Sequence, residues 1–207
     1  LQDSVPYINA SVVWPINISN QNITGINETI CILDTGIDFS HPALVGKNKT
    51  CNINCITESC VENCSINDDN GHGTHVAGIA AANGSINGVA IGASLIGIKV
   101  LNSAGNGDFD DIYAGIEWCI ANRIAYNISV ISMSLGDCST HNTYCNLHGS
   151  AAHINNATAY NLSVIVSAGN GNTGICNGLT VTNGPSAPAC VENATAVGSI
   201  TDLADSL

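Results

Sequence analysis

The sequence predicts an α/β protein, a three-layer sandwich around a mostly parallel sheet buried on both faces. Two observations carry this. Short runs rich in Ile and Val occur without polar alternation, as in strands covered on both sides. Segments with apolar residues at helical spacing fall between those runs, and strand, helix, strand in succession implies parallel pairing. The 207 residues, 45% hydrophobic and 10% charged, suffice for one packed domain. No linker or internal repeat interrupts residues 1–207, which read as a single domain.

In chain order, the first strand spans residues 29–33 and delivers Asp34. Residues 46–70 have little apolar periodicity, hold four cysteines and read as a surface excursion. A helix of small residues follows over 72–82, then a strand over 95–101. The helix over 108–122 begins at Asp108, a suitable N-cap, with Asp110 and Asp111 in the first turn where the macrodipole favours negative charge. A strand over 129–134, a helix over 150–161 and strands over 164–168 and 194–200 complete the alternation.

The formal net charge of -12, with only 4 Lys+Arg, argues against nucleic acid or anionic lipid as a partner. No run of eighteen apolar residues exists to span a membrane, and no charged-then-apolar opening segment reads as a signal peptide. The 10 cysteines are many for a reducing compartment. Cys138 and Cys145 bracket one short polar loop and Cys176 and Cys190 another, places where a disulfide would restrict the unfolded chain. Cys31, in a strand, and Cys119, in a helix, read as buried and unpaired. Cys51, Cys55, Cys60 and Cys64 allow nested bridges, Cys51 to Cys64 and Cys55 to Cys60. These are favoured over a zinc site, which wants a second ligand pair at longer range, and over free thiols. Asn-x-Ser/Thr sequons at Asn9, Asn17, Asn22, Asn27, Asn48 and Asn63 fit glycosylation outside the cell, although so Asn-rich a chain also generates them by chance. A secreted or cell-surface protein is expected.

Three segments carry chemistry. Asp34 closes a buried strand in Ile32-Leu33-Asp34-Thr35-Gly36-Ile37-Asp38, and ligands of open parallel sheets bind beyond the carboxyl ends of strands. His72 follows a glycine and opens a helix in Gly71-His72-Gly73-Thr74-His75-Val76-Ala77-Gly78, where the positive helix end favours a neutral, base-competent ring. Asn170 ends Val164-Ile165-Val166-Ser167-Ala168-Gly169-Asn170. Asp34 and His72 could also merely cap and pack, and Asn170 could serve a left-handed turn. Asp-Thr-Gly after an apolar strand is also an aspartic-protease signature, but that family wants Ser or Thr where this chain has Ile37, and it uses an all-β fold.

Together the three blocks resemble those of the subtilisin-like serine proteases, the subtilases. The resemblance implies a serine endopeptidase acting on extended polypeptides through an Asp-His-Ser triad. Asp34 would orient, His72 would act as base and then acid, and the Asn170 amide would face the oxyanion. Ser134, Leu135 and Gly136 would form the strand edge to which substrate adds, Gly107 (with Gly105 and Phe109) the opposing edge, and Ala168 and Gly169 the primary specificity pocket. Asp38, His41 and His75 match family positions and read as structural. A Gly-Thr-Ser-Met-Ala type block bearing the nucleophile is not found. Its serine is expected beyond Leu207, so the 207 residues read as a subtilisin-like fold lacking its C-terminal part and as inactive alone. An alternative is a non-catalytic peptide-binding or interaction module derived from a subtilase.

The resemblance carries further expectations. No cofactor is required. The family's tight calcium site should be absent, because Ala43 stands where it places a carboxylate and the 83–88 loop looks short, while calcium at weaker sites stays compatible with the sequence. The partners are a polypeptide substrate and the chain's own pro-segment, and a monomer is expected. The Ala187–Pro188 bond should be cis and Gly184–Pro185 trans. An acidic rim of Glu58, Glu62, Asp68, Asp69, Asp108, Asp110 and Asp111 would favour basic or neutral peptides. Apolar side chains of the last two strands should be exposed, and so should His72.

Overall fold

The computed structural model describes residues 4–57, 59–170, 175–176, 179–180 and 184–199. Two helical turns, α1 (Ser4–Tyr7) and α2 (Ala10–Val13), and a ribbon of β1 (Asn17–Ile18) with β2 (Gln21–Asn22) precede the main sheet. Then come β3 (Thr29–Asp34), β4 (Ile53–Asn54), β5 (Val61–Glu62), α3 (His72–Ala81), β6 (Ser94–Lys99) and α4 (Phe109–Tyr126). They are followed by β7 (Ile128–Met133), α5 (Ser150–Ala159), β8 (Ser163–Ser167), the paired β9 (Ile175–Cys176) and β10 (Leu179–Thr180), and β11 (Thr195–Val197).

The main sheet runs β11-β8-β7-β3-β6-β4-β5, and every pairing in it is parallel except β4 with β5. Burial on both faces explains the unbroken apolar strands. Ile32 of β3 packs with Ile37, Leu44 and the small residues Ala77 and Ala81 of α3. On the opposite face Cys31 and Leu33 pack with Ile112, Ile116 and Cys119 of α4 and Ile154 of α5. The arrangement is the α/β sandwich that the sequence predicts.

Several details differ from the sequence reading. Residues 46–70 contribute β4 and β5 to the sheet edge, with Ile53 and Cys55 fully buried; two-residue strands leave no periodicity to read. Helix α4 runs to Tyr126, where Asn127 takes a left-handed C-cap (φ 52°). Asp108 is the extended N-cap residue, although its side chain makes no capping bond.

Both nested bridges, Cys51–Cys64 and Cys55–Cys60, are present, so these sulfurs are not zinc ligands. The loop-by-loop reading of the other four cysteines needs correction. Cys145 pairs with Cys190 across a separation of 45 residues, and Cys138 is disulfide-bonded to a residue other than Cys145. The polar loops lie beside each other in space, which sequence spacing does not reveal. The pairing of Cys176 and the position of Glu58 lie outside the described residues. Cys31 and Cys119 are free and buried, and burial pushes the Cys119 thiol well up, with Cys31 adding to the effect.

The Ala187–Pro188 bond is cis and Gly184–Pro185 is trans. Exposure of the last strands is split. Val164 and Val166 of β8 are buried, whereas all of β11 is exposed, with Val197 at 51%. Ile200 lies outside the described residues.

Candidate active site

β3 carries Asp34 to the carboxyl end of the sheet's centre, where its side chain is fully buried. Its Oδ1 accepts the Thr35 N–H at 2.8 Å. His72 Nδ1 lies 2.8 Å from Oδ1 and 2.9 Å from Oδ2. An ionised carboxylate only accepts, so Nδ1 carries the hydrogen and Nε2 keeps its lone pair. The ring is 47% exposed.

The approach of α3 to β3 makes this contact. A Cβ on Gly73 would meet the Gly36 carbonyl at 2.1 Å and the Asp34 Cβ at 3.1 Å, so only glycine lets the helix start so close to the strand end. The Gly73 N–H donates to Thr35 Oγ1 at 3.0 Å, and the Thr35 hydroxyl donates to Asp68 Oδ1 at 2.8 Å. Asp68 then gathers the helix start. Its Oδ1 accepts the N–H groups of Asn70 (3.1 Å) and Gly71 (2.9 Å), and its Oδ2 accepts the Thr74 N–H (2.9 Å) and hydroxyl (2.6 Å). Burial pushes the Asp68 carboxyl up, but these hydrogen bonds, led by the Thr74 hydroxyl, outweigh it and bring the pKa down to about 2.

A buried cation braces the site from below. Lys99 Nζ donates to the carbonyls of Thr35 (2.8 Å) and Leu101 (2.9 Å) and to Asp69 Oδ1 (2.6 Å). The strand end after Asp34, the loop before His72 and the chain leaving β6 are thereby joined. The Asp34 carbonyl adds bonds from the Val100 and Leu101 N–H groups, at 2.9 and 3.1 Å.

His72 opens onto a cleft of about 630 Å3. Gly107 lies on one wall and Ser134, Leu135 and Gly136 on another, with Asp137 adjoining. Ala168, Gly169 and Asn170 do not line this cleft. Ser186, whose N–H donates to the Ala168 carbonyl at 3.0 Å, packs between Gly169 and the Gly136 edge. A Cβ on Gly136 or Gly169 would come within 2.8 or 2.7 Å of Ser186 Oγ, so Ser186 stands between the two edges and only glycine fits on either side of it. Asn170 is exposed three residues past the end of β8.

The acidic rim is not what the sequence suggested. Asp68 is engaged at the α3 start, Asp69 pairs with Lys99, Asp111 is buried, and Glu62 accepts from Thr50 at the far sheet edge. Asp108 and Asp110 are exposed but do not line the cleft. Asp137, which sequence reasoning missed, does. Lys99 and Ser186 were missed as well. A lone lysine closing an apolar strand was a readable signal, as was an Asp four residues before a helix-opening His; nothing local marks Ser186. Asp38, His41 and His75 line a separate hollow on the other side of the α3 start. There the Ser40 hydroxyl holds the Asp38 carboxyl below its usual range.

The profile of the subtilase family matches residues 25–206. Subtilisin E of Bacillus subtilis (strain 168) is 43% identical over 136 residues, 64% of this chain and 33% of its own length. The major intracellular serine protease of the same strain is 34% identical over 209 residues, 97% of this chain and 58% of that protein. Subtilisin DY of Bacillus licheniformis is 36% identical over 207 residues, 95% of this chain and 65% of that protein. The chain thus spans from a third to just under two thirds of these relatives. An aspartate at the end of a central parallel strand holds a histidine at the start of a packed helix, and the family profile extends over nearly all the described residues: the chain belongs to the subtilase family.

Proposed function

We propose that this chain is the part of a serine endopeptidase that supplies the acid–base pair and much of the substrate cleft, and that the nucleophilic serine follows Leu207. The observation that carries the reading is the buried Asp34 carboxylate bound through both oxygens to His72 Nδ1 beside an open cleft. With Nδ1–H so committed, Nε2 accepts the serine proton as Oγ bonds to the scissile carbonyl carbon. Asp34 stabilises the imidazolium that forms, and Asn170 donates to the oxyanion. Collapse breaks the C–N bond, and His72 returns the proton to the leaving amine. Water then releases the acyl group by the same route. An extended peptide would lie between Gly107 and Ser134-Leu135-Gly136, its side chain beside the scissile bond directed toward Gly136 and Gly169.

The reading needs no cofactor. Ala43 is buried and offers no side-chain oxygen, and its carbonyl accepts the Asn83 N–H at 3.0 Å. These residues do not fit a tight calcium site, and no step passes through one. The disulfides support a secreted or cell-surface location, and no helix among the described residues is long and apolar enough to cross a membrane. The working unit is a monomer of one domain, with a polypeptide substrate and its own pro-segment as partners. Without the serine, the 207 residues do not hydrolyse peptides.

The test is a fluorophosphonate probe applied to the polypeptide that continues beyond Leu207. Labelling that is lost in H72A supports the endopeptidase. A folded, unlabelled protein would favour the non-catalytic binding module instead.

A further inference from the structure

We infer that Asp137 sets substrate preference, selecting peptides with a basic side chain, Lys or Arg, beside the scissile bond; this rests on the endopeptidase reading above. Three observations carry the assignment. Asp137 directly follows the Ser134-Leu135-Gly136 edge and is the one carboxylate among the described residues that lines the His72 cleft. It is also pinned beside Ser186. The Ala187 N–H donates to Asp137 Oδ1 at 3.1 Å and the Asp137 N–H donates to the Ala187 carbonyl at 2.9 Å, beside the Ser186 that separates Gly136 from Gly169. The Ser139 N–H (3.0 Å) and hydroxyl (2.5 Å) complete the set on the same oxygen. Donors converging on one oxygen fix the direction of the carboxylate.

Among the described residues, no Lys or Arg side chain competes for that charge. Lys99 is committed to Asp69 and two carbonyls, Lys47 to the Ile91 and Ala93 carbonyls, and Arg123 to the Ile120 carbonyl and the Tyr160 ring. Lys49, the fourth cation of the chain, does not line the cleft. A chain of net charge -12 attracts cations at long range, and a substrate ammonium or guanidinium meets a carboxylate already oriented by neutral donors. An acidic substrate side chain meets like charge in the same place, which selects against it.

The experiment uses the polypeptide that extends beyond Leu207, first labelled with a fluorophosphonate to establish its nucleophile. Then kcat/KM is measured on succinyl-Ala-Ala-Pro-Xaa-p-nitroanilides with Xaa as Arg, Lys, Phe or Glu. Arg and Lys substrates should exceed Glu by about a hundredfold, and D137N should lower Arg and Lys about tenfold or more while moving Phe less than about threefold. Asn keeps an oxygen for the three donors, so D137N tests charge rather than loop structure. If D137N does not fold, the wild-type salt profile decides. Activity on Arg should fall with added salt while activity on Phe stays level, and a flat Arg profile overturns the assignment. Labelling with no basic preference, or with a preference unchanged in D137N, overturns the role of Asp137 alone. Absence of labelling in a folded protein overturns the endopeptidase reading itself.

Discussion

At the scale of single residues, the site depends on which hydrogen each ring nitrogen holds. Asp34 can only accept, so it fixes the His72 tautomer. Asn in its place can donate to Nδ1 and so moves the ring hydrogen to Nε2, where the base is lost. D34N should therefore keep the fold and lower kcat about 10^4-fold in the nucleophile-bearing polypeptide. In the 207-residue chain itself, the His72 Nδ1–H signal should vanish from nitrogen NMR, and its persistence would refute the tautomer argument. Asp68 offers a second test. Its folded pKa of about 2 lies below the ordinary value of 3.8, so its hydrogen bonds stabilise fully above about pH 4 and are lost as pH falls towards about 2. D68N should accordingly lower Tm at pH 7, and the gap to wild type should close over that acid window. A gap constant with pH would mean that the Asp68 charge does not hold the α3 start.

The elements legible in the sequence were those with enough residues to show a period: β3, β6, β7 and β8 as apolar runs, and α3, α4 and α5 as helical patterns. Asp34 and His72 were legible because each stands at an element end inside a distinctive neighbourhood of glycines and small residues. β4 and β5, at two residues each, were not. Lys99 left a readable mark as a lone lysine closing an apolar strand, whereas Ser186, whose role arises from a loop distant in sequence, left none. The Cys145–Cys190 pairing was hidden for the same reason. Gly73 shows what an element boundary must satisfy. G73A is a good helix substitution by propensity, yet its Cβ would drive into the Gly36 carbonyl. The clash should cost about 1 to 3 kcal/mol of stability by denaturant unfolding and also part His72 from Asp34. If G73A proves neutral or stabilising, the close approach does not set the site.

For the molecule as a whole, cohesion is uneven, and one disulfide ties two distant loops together at buried positions, Cys145 and Cys190. Cys145–Cys190 closes a loop with a separation of 45 residues, for which chain entropy gives a stabilisation of about 4 kcal/mol. C145S/C190S should lose much of that, read as a lowered denaturant midpoint together with a steeper slope, because the unbridged unfolded chain exposes more surface. The sheet itself grades from centre to edge. β3 has a parallel neighbour on each side and helices on both faces, with Cys31, Ile32 and Leu33 fully buried. β11 pairs with β8 alone among the described strands, and Thr195, Ala196 and Val197 are all exposed. Opening β11 therefore costs few apolar contacts, whereas opening β3 requires separating both helical layers from the sheet. Backbone amides of β3 should exchange only through global unfolding, those of β8 more readily, and those of β11 fastest, by local opening. Hydrogen exchange followed residue by residue should give that order in the 207-residue chain. In the polypeptide extended past Leu207, β11 should gain protection if the added sequence packs on its exposed face. Equal protection of β11 and β3 in the shorter chain would refute the gradient, and unchanged β11 exchange in the longer one would refute packing at that edge.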